Sequence, residues 1–154
     1  MKKIILSLVA IGVLAGAAAA GPPEKKTVFS LNAGIAYDTT DDEMIVATLD
    51  ARVGFRLGSH FQLSPEVTYA PHPQASILSP GLILNYISGH VFIGGGVLAQ
   101  FHGSYDSFWA VKFNVGYARG HLLATAYFSA ELYTDEYTGL FGSHRVGLTA
   151  GYRF

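Results

Sequence analysis

The sequence predicts an all-β fold: an eight-stranded antiparallel up-and-down β-barrel that crosses a membrane. From Thr27 onward, about eight segments of roughly 10 to 13 residues alternate in polarity, which is the strand pattern of such barrels. Short turns recur at residues 58, 88 and 119, so the repeating unit is a hairpin. Half of the residues are hydrophobic and only 14% are charged. No segment after residue 20, however, approaches the roughly 18 apolar residues of a membrane helix.

The N-terminal residues predict export. Lys2 and Lys3 precede an apolar run over residues 4–15, and the alanines at 18–20 fit a small-residue cleavage site. We therefore expect a cleaved signal peptide over residues 1–20, a short leader over 21–26 and the barrel over 27–154. An uncleaved anchor helix is the alternative for the first segment. The absence of cysteine excludes disulfides, thiolate metal sites and a cysteine nucleophile. The near-zero net charge gives a nucleic-acid partner no electrostatic support.

The first four strands alternate with different clarity. In the first, the odd-numbered residues 29–37 are apolar and the even-numbered ones between them are polar or small. The second is the clearest, because odd residues 45–57 are all apolar while the other face carries Asp50, Arg52 and Arg56. The third repeats this pattern over residues 61–69. The fourth, over 77–87, has apolar residues on both faces, and we expect a bulge near Pro80 or Gly81 to switch its parity.

The last four strands alternate throughout. Odd residues are apolar over 91–101, apart from Gly95, and over 109–117, and Gly94-Gly95-Gly96 excludes a helix in the fifth segment. In the seventh and eighth strands the apolar parity is even, over 122–132 and 146–154. The closing strand ends on Phe154. Its even-numbered face is wholly apolar, and its odd-numbered face is polar or lacks side chains.

The connections indicate how the strands are arranged. All tight turns fall at one end, and the longer connections near residues 38, 71, 102 and 134 fall at the other, as in outer-membrane barrels. Aromatic residues form two predicted girdles, Tyr37, Tyr69, Phe101 and Trp109 near the loops and Phe29, Phe55, Phe61, Tyr86, Tyr117, Tyr152 and Phe154 near the turns. In lipid, backbone hydrogen bonding requires the eighth strand to pair with the first. A soluble β-sandwich is the alternative.

This pattern resembles the small eight-stranded outer-membrane β-barrels, of the outer-membrane protein A transmembrane-domain and protein X type. The resemblance covers nearly the whole mature chain, and its terminal pattern Leu148, Ala150, Tyr152 and Phe154 is similar to the signal that the barrel-assembly machinery reads. It implies the outer membrane of a Gram-negative bacterium. The implied partners are that machinery and periplasmic chaperones during biogenesis, then lipid and lipopolysaccharide. We expect a monomer without cofactors.

Charged residues at inward-facing positions form a predicted network in the lumen. Its members are Asp50, Arg52, Arg56, Glu66, Lys112, Glu131, Arg145 and Arg153. Hairpin geometry predicts that Glu66 lies near Arg52, and the last connection predicts that Glu131 lies near Arg145. An eight-stranded barrel is just wide enough to be filled by its own side chains, so a structural network is expected. The alternative is a narrow gated pore in which these pairs exchange partners.

Three histidines follow the tight turns. His60, His90 and His121 have inward parity, and three imidazoles around one rim are the kind of ligands that Zn or Cu prefers. They are weak metal candidates, because alternate strands lie about 10 Å apart whereas His–metal bonds measure about 2 Å. Polar chemistry at an interfacial turn is the simpler interpretation.

The expected role is structural, in support of envelope integrity, and no enzyme is predicted. A lipid A-modifying site needs Ser and His within reach of each other, but His144 faces outward whereas Ser129 points into the lumen. Residues that remain for such a site are the loop residues His72, His102, Ser104 and Asp106. An adhesin or receptor is disfavoured by the short loops. The loop carboxylates could bridge divalent cations to lipopolysaccharide phosphates; they are Asp38, Asp41, Asp42, Glu43, Asp106, Asp135 and Glu136.

Overall fold

The computed structural model describes residues 27–39, 44–71, 76–103, 107–132 and 144–154. These residues form eight strands: β1 (Thr27–Asp38), β2 (Met44–Leu57), β3 (Phe61–Ala70), β4 (Ile77–Ser88), β5 (Val91–His102), β6 (Ser107–Arg119), β7 (Leu122–Leu132) and β8 (His144–Arg153). Each strand pairs antiparallel with its neighbours in sequence, and β8 returns to β1, so the sheet is a closed barrel. The predicted fold class is confirmed. The described ranges contain no helix with the length and hydrophobicity needed to cross a bilayer.

The seam between β1 and β8 closes the barrel along its whole height. The register runs from Ser30 opposite Arg153 to Asp38 opposite Arg145. Beyond the ladder, Phe154 N donates to Phe29 O at 2.9 Å at one end, and Thr39 N donates to the His144 carbonyl at 2.9 Å at the other. Closure leaves no strand edge with unpaired N–H and C=O groups, which is the condition for a strand protein to be stable in lipid.

Three tight turns define one end of the barrel, which we call the turn end; the opposite end is the loop end. Gly58, Gly89 and Gly120 have φ angles of 74°, 59° and 58°. Residues with a Cβ atom rarely adopt this left-handed conformation, so glycine is required where two strands connect so tightly. The predicted hairpin repeat is therefore confirmed, with both ends of the described chain at the turn end.

Strand β4 shows no bulge and no change of parity, contrary to the expectation for Pro80 and Gly81. Its pairing is in constant register with β3 and with β5. Even residues such as Leu82 and Leu84 face outward and are exposed, whereas Ile83 is fully buried. The ambiguity arose because the inward face of β4 is itself partly apolar: Ile83 packs with Leu98 and Ala110 inside the barrel.

The interior is polar but contains two small apolar clusters. The first, formed by Ile83, Leu98 and Ala110, lies against the wall built by β4, β5 and β6. The second lies near the loop end and consists of Ala36, Val46, Ala70, Ile77 and Tyr127. We call this second group the loop-end apolar cluster. Its members come from β1, β2, β3, β4 and β7, so it joins strands from opposite sides of the barrel.

The outer surface is apolar over the height of the barrel. Leu122, Ile45 and Phe154 leave 71%, 70% and 66% of their surface exposed. A protein in water rarely exposes so continuous an apolar surface, and here it surrounds an interior that holds the charged side chains. The parity predicted from the sequence is therefore confirmed with the apolar face outside, which also excludes a sandwich with an apolar core.

Candidate functional site

The centre of the lumen holds an ion-pair triad of Glu66, Arg52 and Lys112. Arg52 and Glu66 are direct cross-strand partners on β2 and β3. Arg52 Nε donates to Glu66 Oε2 at 3.1 Å, and its Nη2 lies 2.9 Å from the same oxygen. Lys112 Nζ donates to the other oxygen, Oε1, at 2.6 Å. The predicted proximity of Glu66 and Arg52 is confirmed.

Lys112 extends the triad across the barrel, and we call the resulting contact of Arg52, Glu66 and Lys112 the brace. It belongs to β6, which is not adjacent to β3, so its side chain crosses the lumen to reach Glu66. Lys112 and Glu66 are each only 1% exposed. The Lys112 ammonium also lies 4.6 Å from the centre of the Tyr127 ring, a distance typical of a cation–π contact. Two cations thus share one carboxylate, and the triad carries a net charge of +1.

Two further ion pairs lie near the loop end, and they differ from the predicted ones. Arg145 donates through Nε to Asp38 Oδ2 at 2.9 Å and also through Nη2, and both residues are buried. Glu131 Oε1 lies 3.3 Å from His102 Nε2. The expected pairing of Glu131 with Arg145 is therefore wrong. The β1–β8 register places Asp38 directly opposite Arg145, and Asp38 is the last residue of β1 rather than the start of a loop.

Asp50 is a buried carboxylate without a partner among the described residues. It is 3% exposed, and neither of its oxygens accepts a hydrogen bond. Its cross-strand neighbours on the inward face are Asn32 on β1 and Thr68 on β3. The side-chain polar atoms of these neighbours are likewise buried without partners. The buried polar side chains of this layer therefore lack hydrogen-bond partners. Sequence parity alone had placed Asp50 in the same network as the paired charges.

Arg56 and Arg153 lie at the turn end and form no ion pair in the described part of the chain. Both line a cavity of about 170 Å³ together with Arg52. Gly89 and Gly120 also line it, so the cavity is at the mouth formed by the tight turns. Of the eight predicted network residues, the structure therefore joins Arg52, Glu66 and Lys112 to one another. Asp50, Arg56 and Arg153 form no ion pair with any residue in the described ranges.

The three histidines do not converge on the lumen. His60 stacks on Tyr86 with ring centres 5.7 Å apart, and His121 stacks on Tyr152 at 5.0 Å. His90 contacts Tyr117 edge-to-face on the next pair of strands, with ring centres 5.7 Å apart. No group of three His, Asp or Glu side chains within the described ranges is close enough to hold a metal ion. The zinc or copper hypothesis is therefore wrong for these histidines.

Turn geometry explains the error. Each histidine lies in a turn after a glycine with positive φ, outside the ladder in which side chains alternate between faces. Parity counted through the strand therefore does not bring the three rings together. Each ring contacts a tyrosine of the aromatic girdle at the turn end, and His90 in addition lines the cavity there.

The closing strand has the predicted orientation. Leu148, Ala150, Tyr152 and Phe154 are all exposed on the outer surface. The Phe154 ring lies between Phe29 and Tyr152, with centre-to-centre distances of 5.6 and 4.9 Å. The final residue therefore joins the girdle at the seam where the barrel closes.

Several sequence-based expectations fall on residues outside the described ranges. They are the signal peptide (1–20), the leader (21–26), the loop acids Asp41, Asp42, Glu43, Asp106, Asp135 and Glu136, and the loop residues His72 and Ser104. His102, expected in a loop, is the last residue of β5 and contacts Glu131 in the barrel. Ser129 is buried in the lumen, while the His144 ring packs against Phe128 on the outer side.

Comparison with known proteins supports the architecture. No protein-family model and no curated protein matches the chain. Among solved structures, Neisserial surface protein A has a TM-score of 0.62 at 13% identity, over 84% of this chain and 96% of that one. The fold is that of the small eight-stranded outer-membrane β-barrels. The N-terminal β-barrel domain of Pseudomonas aeruginosa OprF has a TM-score of 0.53 at 14% identity, over 84% and 98% of the two chains.

Two further matches show how far this likeness extends. Ail, the attachment invasion locus protein of Yersinia pestis, has a TM-score of 0.53 at 10% identity, over 83% and 97% of the two chains. A de novo designed transmembrane β-barrel has a TM-score of 0.59 at 10% identity, over 87% of this chain and 100% of the designed one. A designed barrel shares the fold without any evolved task, so the comparisons define the architecture alone.

Proposed function

We propose that this chain is a structural barrel in the outer membrane of a Gram-negative bacterium, with its turn end in the periplasm and its loop end at the cell surface. The apolar outer surface, bounded by aromatic residues, fits lipid around the whole wall. The short connections at the turn end match the periplasmic side of such barrels. The role is to maintain the envelope, and no catalytic step is assigned to the chain.

The observation that carries this proposal is the brace across the lumen. Lys112 and Arg52 hold Glu66 from opposite sides of the barrel, and all three side chains are buried. The loop-end apolar cluster packs inside the barrel between them and the loop end. A lumen that is crossed by ion pairs and contains an apolar cluster favours a structural barrel over a continuous water path.

Planar-bilayer recording tests this role against the gated pore. The purified wild-type protein and the Arg52→Ala variant are reconstituted under the same conditions. We expect no discrete openings from the wild type, because the brace and the loop-end apolar cluster block the lumen. Reproducible unitary conductance in the wild type, lost or altered in Arg52→Ala, would instead establish the pore. The partnerless polar layer around Asp50 is the feature that favours this second candidate.

A strain that lacks the gene tests the envelope role itself. We expect greater uptake of a large antibiotic that the intact outer membrane excludes, and restoration by the wild-type gene. Equal restoration by a variant that assembles but lacks the brace, Glu66→Gln, would show that the lumen network is dispensable for the role. Unchanged permeability in the deletion strain, with the barrel present in wild-type outer membranes, would refute the envelope role.

Lipopolysaccharide is the proposed partner at the cell surface. The acidic residues Asp41, Asp42 and Glu43 precede β2 at the loop end, and carboxylate oxygens are ligands that Ca²⁺ prefers. In bilayers that contain lipopolysaccharide, calcium should raise the melting temperature of the wild type more than that of the triple alanine variant. An identical calcium response in both proteins contradicts the bridging model. An adhesin role would be detected in a separate assay: wild-type bacteria would bind host cells, and the deletion strain would not.

A further inference from the structure

The turn end of the lumen contains a cavity whose charged lining residues are all arginines. Arg52, Arg56 and Arg153 line it, and no aspartate or glutamate is among the described residues that do so. The cavity measures about 170 Å³, which is room for on the order of ten water molecules or one small hydrated solute. The turn glycines Gly89 and Gly120 are part of its lining, so it is open toward the turn end.

No acidic side chain among the described residues that line the cavity balances its positive charge. Glu66 already serves both Arg52 and Lys112, and Asp50 lies on β2 beyond Arg52, on the side away from the turn end. Arg56 and Arg153 have no acidic partner in the described ranges. Three guanidinium groups therefore face one recess whose walls are surrounded by lipid, and such low-dielectric walls concentrate the field of the charges that line them.

The donors in this cavity are the kind that bind oxyanions. A guanidinium presents a planar fork of N–H groups that matches two oxygens of a phosphate or a carboxylate. The amides of Gln62 and Asn85 also line the cavity, but both donate to Ser64 Oγ, at 2.9 and 3.2 Å. The arginines therefore supply most of the free donors. The half-buried position of Arg56 and Arg153 leaves their charged ends accessible from the mouth.

We propose that this cavity is a binding site for a small oxyanion, a phosphate or a carboxylate, that enters from the turn end. Arg56 and Arg153 contact the anion, and Arg52, which also lines the cavity, adds positive charge at its inner end. The site depends on the barrel fold and is separate from any structural or pore role.

Solution NMR of the mature protein in detergent micelles tests the site. Inorganic phosphate is titrated in exchange for chloride at constant ionic strength, with acetate as a second arm that separates a planar carboxylate from a tetrahedral phosphate. We expect saturable shifts at the Arg56 and Arg153 side-chain Nε–H signals and at the backbone amides of Gln62 and Asn85. Saturation by either anion supports the site. Shifts that stay linear with both anions, or that chloride reproduces, overturn it.

Matched variants identify the residues responsible. Arg153→Gln and Arg56→Gln should each raise the half-saturating concentration at least tenfold, because each removes a charge-assisted contact. Arg119→Gln is the control, since Arg119 is exposed at the same end of the barrel but does not line the cavity. It should bind as the wild type does. Equal weakening in all three variants would show that the anion responds only to overall charge. Heat-modifiable gel migration verifies that each variant is folded.

Discussion

Replacing Glu66 by glutamine removes the shared acceptor of two buried cations. Arg52 and Lys112 then face each other with 4% and 1% of their surface exposed and without a compensating charge. Removing one partner of a buried pair costs about 3–5 kcal/mol, because the remaining charge has lost its water as well as its partner. We therefore expect Glu66→Gln to lower the free energy of unfolding by about this amount, roughly 10²- to 10⁴-fold in the unfolding equilibrium.

Urea unfolding in lipid vesicles measures the effect. The chain has a single tryptophan, Trp109, which is 62% exposed on the outer surface and so reports the transfer from lipid to water. Glu131→Gln is the matched control, because it makes the same chemical change at an inward carboxylate whose contact is with His102 at 3.3 Å. An ordinary net hydrogen bond contributes about 0.5–1.5 kcal/mol, so the control should cost no more than this.

A double-mutant cycle tests the cause. Adding Lys112→Met to Glu66→Gln removes one of the stranded cations, and the double variant should recover more than about 1.5 kcal/mol relative to the sum of the single changes. The reasoning fails if Glu66→Gln costs no more than Glu131→Gln. It also fails if removal of Lys112 recovers nothing, since the loss would then reflect packing and not uncompensated charge.

Three other changes have defined outcomes. Asp50→Asn should leave the free energy of unfolding unchanged or raise it by up to about 2 kcal/mol, because the carboxylate it replaces is buried without a partner; a clear loss of stability in the same urea assay would contradict this. Deletion of Phe154 removes its ring contact and backbone bond with Phe29, so the heat-modifiable fraction in membranes should fall while Phe154→Tyr assembles normally. Gly96→Ala should cost about 1–3 kcal/mol, because its Cβ would fall on the β4 backbone. Gly95→Ala should cost less, because the closest atoms to its Cβ belong to the movable Phe113 ring and the nearest backbone atom is at an ordinary contact distance; equal losses would refute the steric argument.

The strand pattern and the ion pair between Arg52 and Glu66 were predictable because both depend on short-range geometry. A tight turn fixes the register of its hairpin, so Arg52 had to lie opposite Glu66 once the turn at Gly58 was recognised. Outward and inward faces follow from alternation alone. The one doubtful strand, β4, was doubtful because Ile83 is an apolar residue that faces the interior.

The other ion pairs depend on how the barrel closes, and no local sequence pattern predicts this. Lys112 reaches Glu66 across the lumen, and this contact depends on the barrel diameter and the length of the lysine side chain. Asp38 meets Arg145 only because β8 returns to β1 in one particular register. The parity signal for Asp38 was present, since Asn32 and Ala36 share its face, but the acidic residues that follow made it resemble the start of a loop.

The interior changes character along the barrel axis, from charged at the turn end to partly apolar near the loop end. Arginines line an open cavity at the turn end, the braced triad lies at mid-height, and apolar side chains with the pair of Asp38 and Arg145 lie toward the loop end. Among the described residues, the arginines without an acidic partner lie at the turn end, whereas Asp38 and Arg145 near the loop end are paired. In the proposed orientation, the polar recess of this barrel belongs to the periplasm, and ligands for it should be anions of that compartment and not molecules from outside the cell.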